Sequence, residues 1–108
     1  MPLDEQLVAE HPQVPQYRQE LARTHNNLGV LLRATGRTAE AEKAYRQALQ
    51  LRERLAAEHP QVPQYRQELA GTHNNLGVLL QTTGRTAEAE KAYRQALQLD
   101  ERLVVEHP

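Results

Sequence analysis

The side chains whose type and spacing suit them to recognition chemistry are two pairs of asparagines, Asn26-Asn27 and Asn74-Asn75. A carboxamide donates and accepts at once, so a row of them can hold the backbone of an extended peptide without reading its side chains. Asparagine is also a poor helix former, and two in succession inside a helical pattern need a reason. Arg23 and Arg33 flank the first pair, whereas Gly71 and Gln81 flank the second. Covalent chemistry is short of parts: there is no serine and no cysteine, so a nucleophile would have to be threonine, lysine or a carboxylate, and the acids are scattered. Of the five histidines, His11, His59 and His107 sit in Glu-His-Pro segments, and His25 and His73 occur singly, with no HExxH and no i, i+4 pair. No metal site, no cofactor and no enzyme activity are expected from this inventory.

These residues recur because the chain repeats. Glu10-His11-Pro12-Gln13-Val14-Pro15 returns 48 residues on, and Glu106-His107-Pro108 opens a third copy. Between Glu10–Ala57 and Glu58–Val105 only six positions differ: Arg23/Gly71, Arg33/Gln81, Ala34/Thr82, Arg52/Asp100, Ala56/Val104 and Ala57/Val105. Self-similarity at one fixed period is the mark of a stacked array. The opening Leu3-Asp4-Glu5 segment matches the closing Leu99-Asp100-Glu101 segment, which suggests excision from a longer array.

Each repeat predicts two helices. Pro15 and Pro63 open the first helices, which run to about Thr35 and Thr83, where Gly36 and Gly84 supply a left-handed terminus. Thr38 and Thr86 are expected to cap the second helices, ending near Glu58 and Glu106. Tyr17, Leu21, His25, Leu28 and Leu32 recur every three or four residues on the first helix, and Ala41, Ala44, Tyr45, Ala48, Leu49 and Leu55 do so on the second. Both helices are long, about 30 Å at 1.5 Å per residue. The fold class expected is therefore all-α, an alpha-alpha superhelix of antiparallel hairpins. Residues 3–11 would be the tail of a preceding second helix, 12–59 the first repeat and 60–107 the second.

The spacing His25-x2-Leu28-Gly29-x2-Leu32, Ala41-x3-Tyr45, Ala48, repeated at His73, Leu76, Gly77, Leu80, Ala89, Tyr93 and Ala96, resembles the tetratricopeptide repeat. Gly29 and Ala41 would remove bulk where the helices of a hairpin cross, with Leu28 and Tyr45 filling the volume beside them. Three departures stand out: His at the first position, Leu32 where Tyr is usual, and Glu53 and Glu101 where Pro is usual, so that the second helix runs on. Within the family the look is nearest to kinesin light chain type repeats, through Ala48 to Leu55, His59-Pro60 and Asn74-Asn75-Leu76.

The resemblance implies a protein-protein interaction scaffold whose first helices line a concave groove for an extended peptide or partner protein. Carried over by position, the groove residues are Asn26, Asn27, Asn74 and Asn75; the differences between the repeats and the helical spacing add Arg23, Val30 and Arg33 on the first helix, with Val78 the counterpart of Val30 in the second repeat. The alternative for each asparagine pair is a bond within the scaffold. The first repeat carries eight basic and five acidic residues against five and six in the second, so an acidic segment would favour the first. The competing function is head-to-tail or swapped self-assembly into a homo-oligomer, for which Leu99, Leu103, Val104 and Val105 form an apolar stripe on the last helix. A formal net charge of −1 gives no pull toward nucleic acid or membrane, and the absence of a secretory pattern leads us to expect a cytoplasmic protein.

Overall fold

A computed structural model describes residues 3–106, apart from the side chain of Glu106. The last two residues of the third Glu-His-Pro segment, His107 and Pro108, lie outside that range. Five helices follow in order: α1 (Leu3–Glu10), α2 (Pro15–Ala34), α3 (Thr38–Glu58), α4 (Pro63–Thr82) and α5 (Thr86–Glu106), with no strand among the described residues. α2 pairs with α3 and α4 with α5 as hairpins, α3 packs on α4, and α1 packs on α2. The architecture is an all-α helical repeat, a slab of 40 × 38 × 16 Å.

The helix ends follow from local backbone chemistry. Proline disfavours helical geometry in the residue before it. Val14 and Val62 are accordingly extended, and α2 and α4 begin at Pro15 and Pro63 without side-chain caps. At the other end α2 stops at Ala34 and α4 at Thr82, each one residue earlier than the pattern predicts. Gly36 and Gly84, both at φ 79°, turn the chain so that the Arg37 N–H reaches Leu32 O at 2.8 Å and the Arg85 N–H reaches Leu80 O at 2.9 Å. This closure satisfies carbonyls that the helix leaves open. The expected capping by Thr38 is corrected: Thr38 is the first residue of α3, the residue before it is Arg37, and no side chain caps the helix. Arg37 instead pairs with Glu40 in the first turn.

Within each hairpin the close contact is between glycine and tyrosine. A Cβ at Gly29 would stand 2.5 Å from Tyr45 Cε1, and one at Gly77 would stand 2.7 Å from Tyr93 Cε1. The missing side chain makes room for the ring of the partner helix, not for Ala41 alone. Ala41 and Ala89 are still buried beside it. Leu28 does not fill that volume: it is 43% exposed, whereas its counterpart Leu76 is 3% exposed beneath α3. The core runs through the α3–α4 joint and includes Tyr45, Leu49, Leu69, Leu76 and Leu79.

Gly29→Ala should destabilise the protein, because overpacking of about 1–3 kcal/mol against the buried Tyr45 ring exceeds the gain of about 1 kcal/mol from alanine's helix preference. Gly71→Ala should have the opposite sign. A Cβ there meets nothing within 4 Å, so the helix gains about 1 kcal/mol. Urea unfolding of both variants checks the pair.

Candidate functional site

The asparagine pairs lie on α2 and α4 where those two helices run side by side, and a polar chain crosses between the repeats at that point. Arg52 of α3 donates from Nη1 to Thr72 Oγ1 at 2.5 Å and to the Glu68 carbonyl at 3.0 Å. The Thr72 hydroxyl donates to Asn26 Oδ1 at 3.1 Å, and Asn75 Nδ2 donates to the same oxygen at 3.1 Å. Gln19 Nε2 extends the seam by donating to Glu68 Oε1 at 3.0 Å. Thr72 is fully buried and Arg52 nearly so. Burial pushes the Arg52 guanidinium's pKa down, opposed by the Glu68 carboxylate.

One member of each asparagine pair is thus engaged in the scaffold. Asn26 and Asn75 are half-buried and bonded to each other, whereas Asn27 is exposed and Asn74 is exposed, each without a side-chain hydrogen bond. Arg23 is exposed and pairs with Glu20 at 3.1 Å, a surface contact of little net strength. At about 100° per residue Arg23 and Val30 share one face of α2, as Gly71 and Val78 share the matching face of α4. Val30 is 46% exposed and Val78 half-buried. Arg33 is exposed and close enough to Tyr45 to act on its hydroxyl, whose pKa is raised by burial and lowered in part by that charge. The other four residues singled out in the sequence divide. Leu99 packs half-buried against the core and Leu103 is half-buried, while Val104 and Val105 are exposed.

Thr72, Gln19 and Glu68 were not legible as site residues in the sequence. The available signal was the Arg52/Asp100 difference, since a buried arginine in one repeat and an acid in the other mark a position that reads its neighbour. An ionic contact also crosses the repeats: Arg85 Nη1 meets Glu42 Oε1 at 2.5 Å. That hydrogen bond holds the Glu42 carboxyl below the usual carboxylate range, with Arg46 adding to it.

Buried His73 lies at the floor of a cleft between α3 and α5 faced by Arg46, Glu53, Glu88 and Lys91. Its Nδ1 has no hydrogen-bond partner, and burial pushes its pKa below the ordinary 6.5. Among the described residues no group of three or more histidines and acids could hold a metal ion, and no helix is long and apolar enough to cross a membrane.

Compared with known protein families, residues 20–102 match the tetratricopeptide repeat. That stretch is most of the chain, and the chain belongs to the tetratricopeptide repeat family. No curated protein and no solved structure matches it. Repeats of this kind generally serve as non-catalytic scaffolds that bind other proteins.

Asn26→Ala should cost about 1–3 kcal/mol, because it leaves the Asn75 amide and the buried Thr72 hydroxyl without their acceptor. Asn27→Ala should be nearly neutral, and chemical denaturation separates the two. His73 generates a pH effect of definite sign. Its folded pKa is depressed, so the unfolded chain binds the extra proton, and stability that is full above about pH 6.5 falls as the pH drops below it. The melting temperature measured from pH 7 to pH 5 should therefore decline, with a shallower decline in His73→Leu.

Proposed function

We propose that the face shared by α2 and α4 binds an extended, acidic-leaning segment of a partner protein. The observation that carries this reading is the arrangement of Arg23, Val30 and Arg33, all exposed along one helix, beside Val78 on the next. The joint beneath them is held by the Asn26–Asn75 and Arg52–Thr72 bonds, so the two helices present a preorganised surface. Two valines supply apolar contact and the arginines supply attraction for carboxylates. Arg23 can exchange its exposed Glu20 partner for a ligand carboxylate at small cost. Asn27 and Asn74, with both amide functions open, border the same face and suit a peptide backbone.

The charge difference between the repeats supports an oriented ligand. Arg23 and Arg33 have Gly71 and Gln81 as counterparts, so the acidic part of a bound segment lies over α2 and a neutral part over α4. Two repeats offer a short surface, and an extended chain loses entropy on binding. Dissociation constants in the micromolar range, about −8 kcal/mol, are therefore expected.

Selection from a random peptide library against the whole chain tests this. Recovered peptides should be enriched in Asp and Glu. Arg23→Gly should weaken them and flatten the dependence of affinity on salt, while leaving neutral binders unchanged. Acidic peptides that bind Arg23→Gly as tightly as the parent, with the same salt slope, would show that charge on α2 plays no part.

A further inference from the structure

The joint between the two repeats shows which surfaces recognise each other. On the first repeat's side Glu42, Tyr45 and Leu49 of α3 receive the second repeat; on the second repeat's side Leu76 and Leu79 of α4 and Arg85 at the start of the next turn fill that surface. Every one of these residues has an identical counterpart at an offset of 48. Glu90, Tyr93 and Leu97 form the same receiving surface on α5, and Leu28, Leu31 and Arg37 form the same inserting surface on the first repeat.

Burial at the joint and exposure at its counterparts differ sharply. Leu49 is 7% exposed and Leu97 54%; Leu79 is 1% exposed and Leu31 59%. Arg85 bonds both Glu88 and Glu42, whereas Arg37 bonds Glu40 alone and Glu90 bonds only Arg94. A cleft of about 450 Å³ lies over Ala89, Tyr93 and Leu97, where the internal joint has the leucines of α4. The asparagines follow the same rule. Asn26 is joined to Asn75, and the two left open, Asn74 and Asn27, are the corresponding halves of one more such bond.

α1 occupies part of the inserting surface and shows how a second helix would sit there. Its Asp4 Oδ2 accepts from Thr24 Oγ1 at 2.6 Å, in the register that places Arg52 on Thr72. The following corner is also the same, with His11 against Tyr17 at 5.7 Å as His59 is against Tyr65 at 5.9 Å. Residue 100, the counterpart of both Asp4 and Arg52, is again an aspartate. α1 buries no residue completely, so its contacts with α2 are the weakest of any helix pair in sequence.

We infer that this chain associates head-to-tail with a second copy of itself, the α5 surface of one copy receiving Leu28 and Leu31 of the next, with Leu99–Glu106 taking the place of α1. α5 supplies nearly the same residues that α1 gives up, Asp100 replacing Asp4 on Thr24. The net gain is the new burial of Leu28, Leu31 and Leu97 and the Glu90–Arg37 pair. The contact is heterologous, so each added copy leaves a fresh surface at either end and the array does not close. It is weaker than the internal joint, because Arg52, a charged donor to Thr72, has Asp100 as its counterpart.

Sedimentation equilibrium of the whole chain and four variants tests the assignment. The parent's average mass should rise with concentration past that of two chains. Leu97→Glu and Leu31→Glu, both at exposed positions and so retaining the parent's helical spectrum, should each be monomeric. Mixed one to one they should form a two-chain species and nothing larger, since each keeps the surface the other lacks. Asp4→Ala should tighten association several-fold by loosening α1, and Asp100→Ala should weaken it several-fold. A parent that stays monomeric at millimolar concentration, a Leu97→Glu chain that associates like the parent, a mixture that gives no two-chain species, or shifts of the same sign in the two aspartate variants would each overturn the inference.

Discussion

A pair of antiparallel helices has two broad faces and can bury neither by itself, because the contact within the pair uses only the narrow stripe along which the helices meet. In this chain the α3–α4 joint supplies what the hairpins lack. Tyr45, Leu49, Leu69, Leu76 and Leu79 come from both repeats and make one core, whereas Leu97, Leu28 and Leu31, which occupy the places of Leu49, Leu76 and Leu79 outside the joint, remain in solvent. Much of the apolar burial in the slab depends on that single interface, which is why stacked repeats gain stability from neighbours more than from their own length.

Apolar stacking gives a joint its strength but a poorly defined register, since leucines tolerate sliding. Polar groups restrict it. The Thr72 hydroxyl, held between the Arg52 guanidinium and Asn26 Oδ1, is satisfied in one relative position of α3, α4 and α2, and the Asn26–Asn75 bond repeats the constraint one turn on. A buried network of this kind is costly when broken and specific when complete. The glycine-tyrosine contact does the corresponding work inside each hairpin, where the ring can approach only a residue without a Cβ. Together the two devices set the surface that α2 and α4 present.

The same parts therefore have two environments. An Asn facing a neighbouring repeat belongs to the scaffold, and an Asn with no neighbour stands open to solvent. A leucine beneath α3 is core, and the same leucine on α2 is exposed. The chain belongs to the tetratricopeptide repeat family, whose repeats generally serve to bind other proteins.

Local signals determined a great deal. The helices, their order and their ends to within one residue follow from Pro15, Pro63, Gly36 and Gly84, since a fixed φ or a left-handed turn acts on the backbone within a few residues. The period, the hairpin pattern and the family were legible for the same reason. What local sequence could not decide is how identical segments come to differ. Leu28 and Leu76 sit in the same run of amino acids, yet one is exposed and the other buried; Asn26 is bonded where Asn74 is open, and Asn75 where Asn27 is open. Burial and hydrogen bonding depend on what stands opposite in space, and a segment repeated letter for letter carries no record of which neighbour it will meet. Only the packing of α3 against α4, and of the short α1 against α2, assigns those roles.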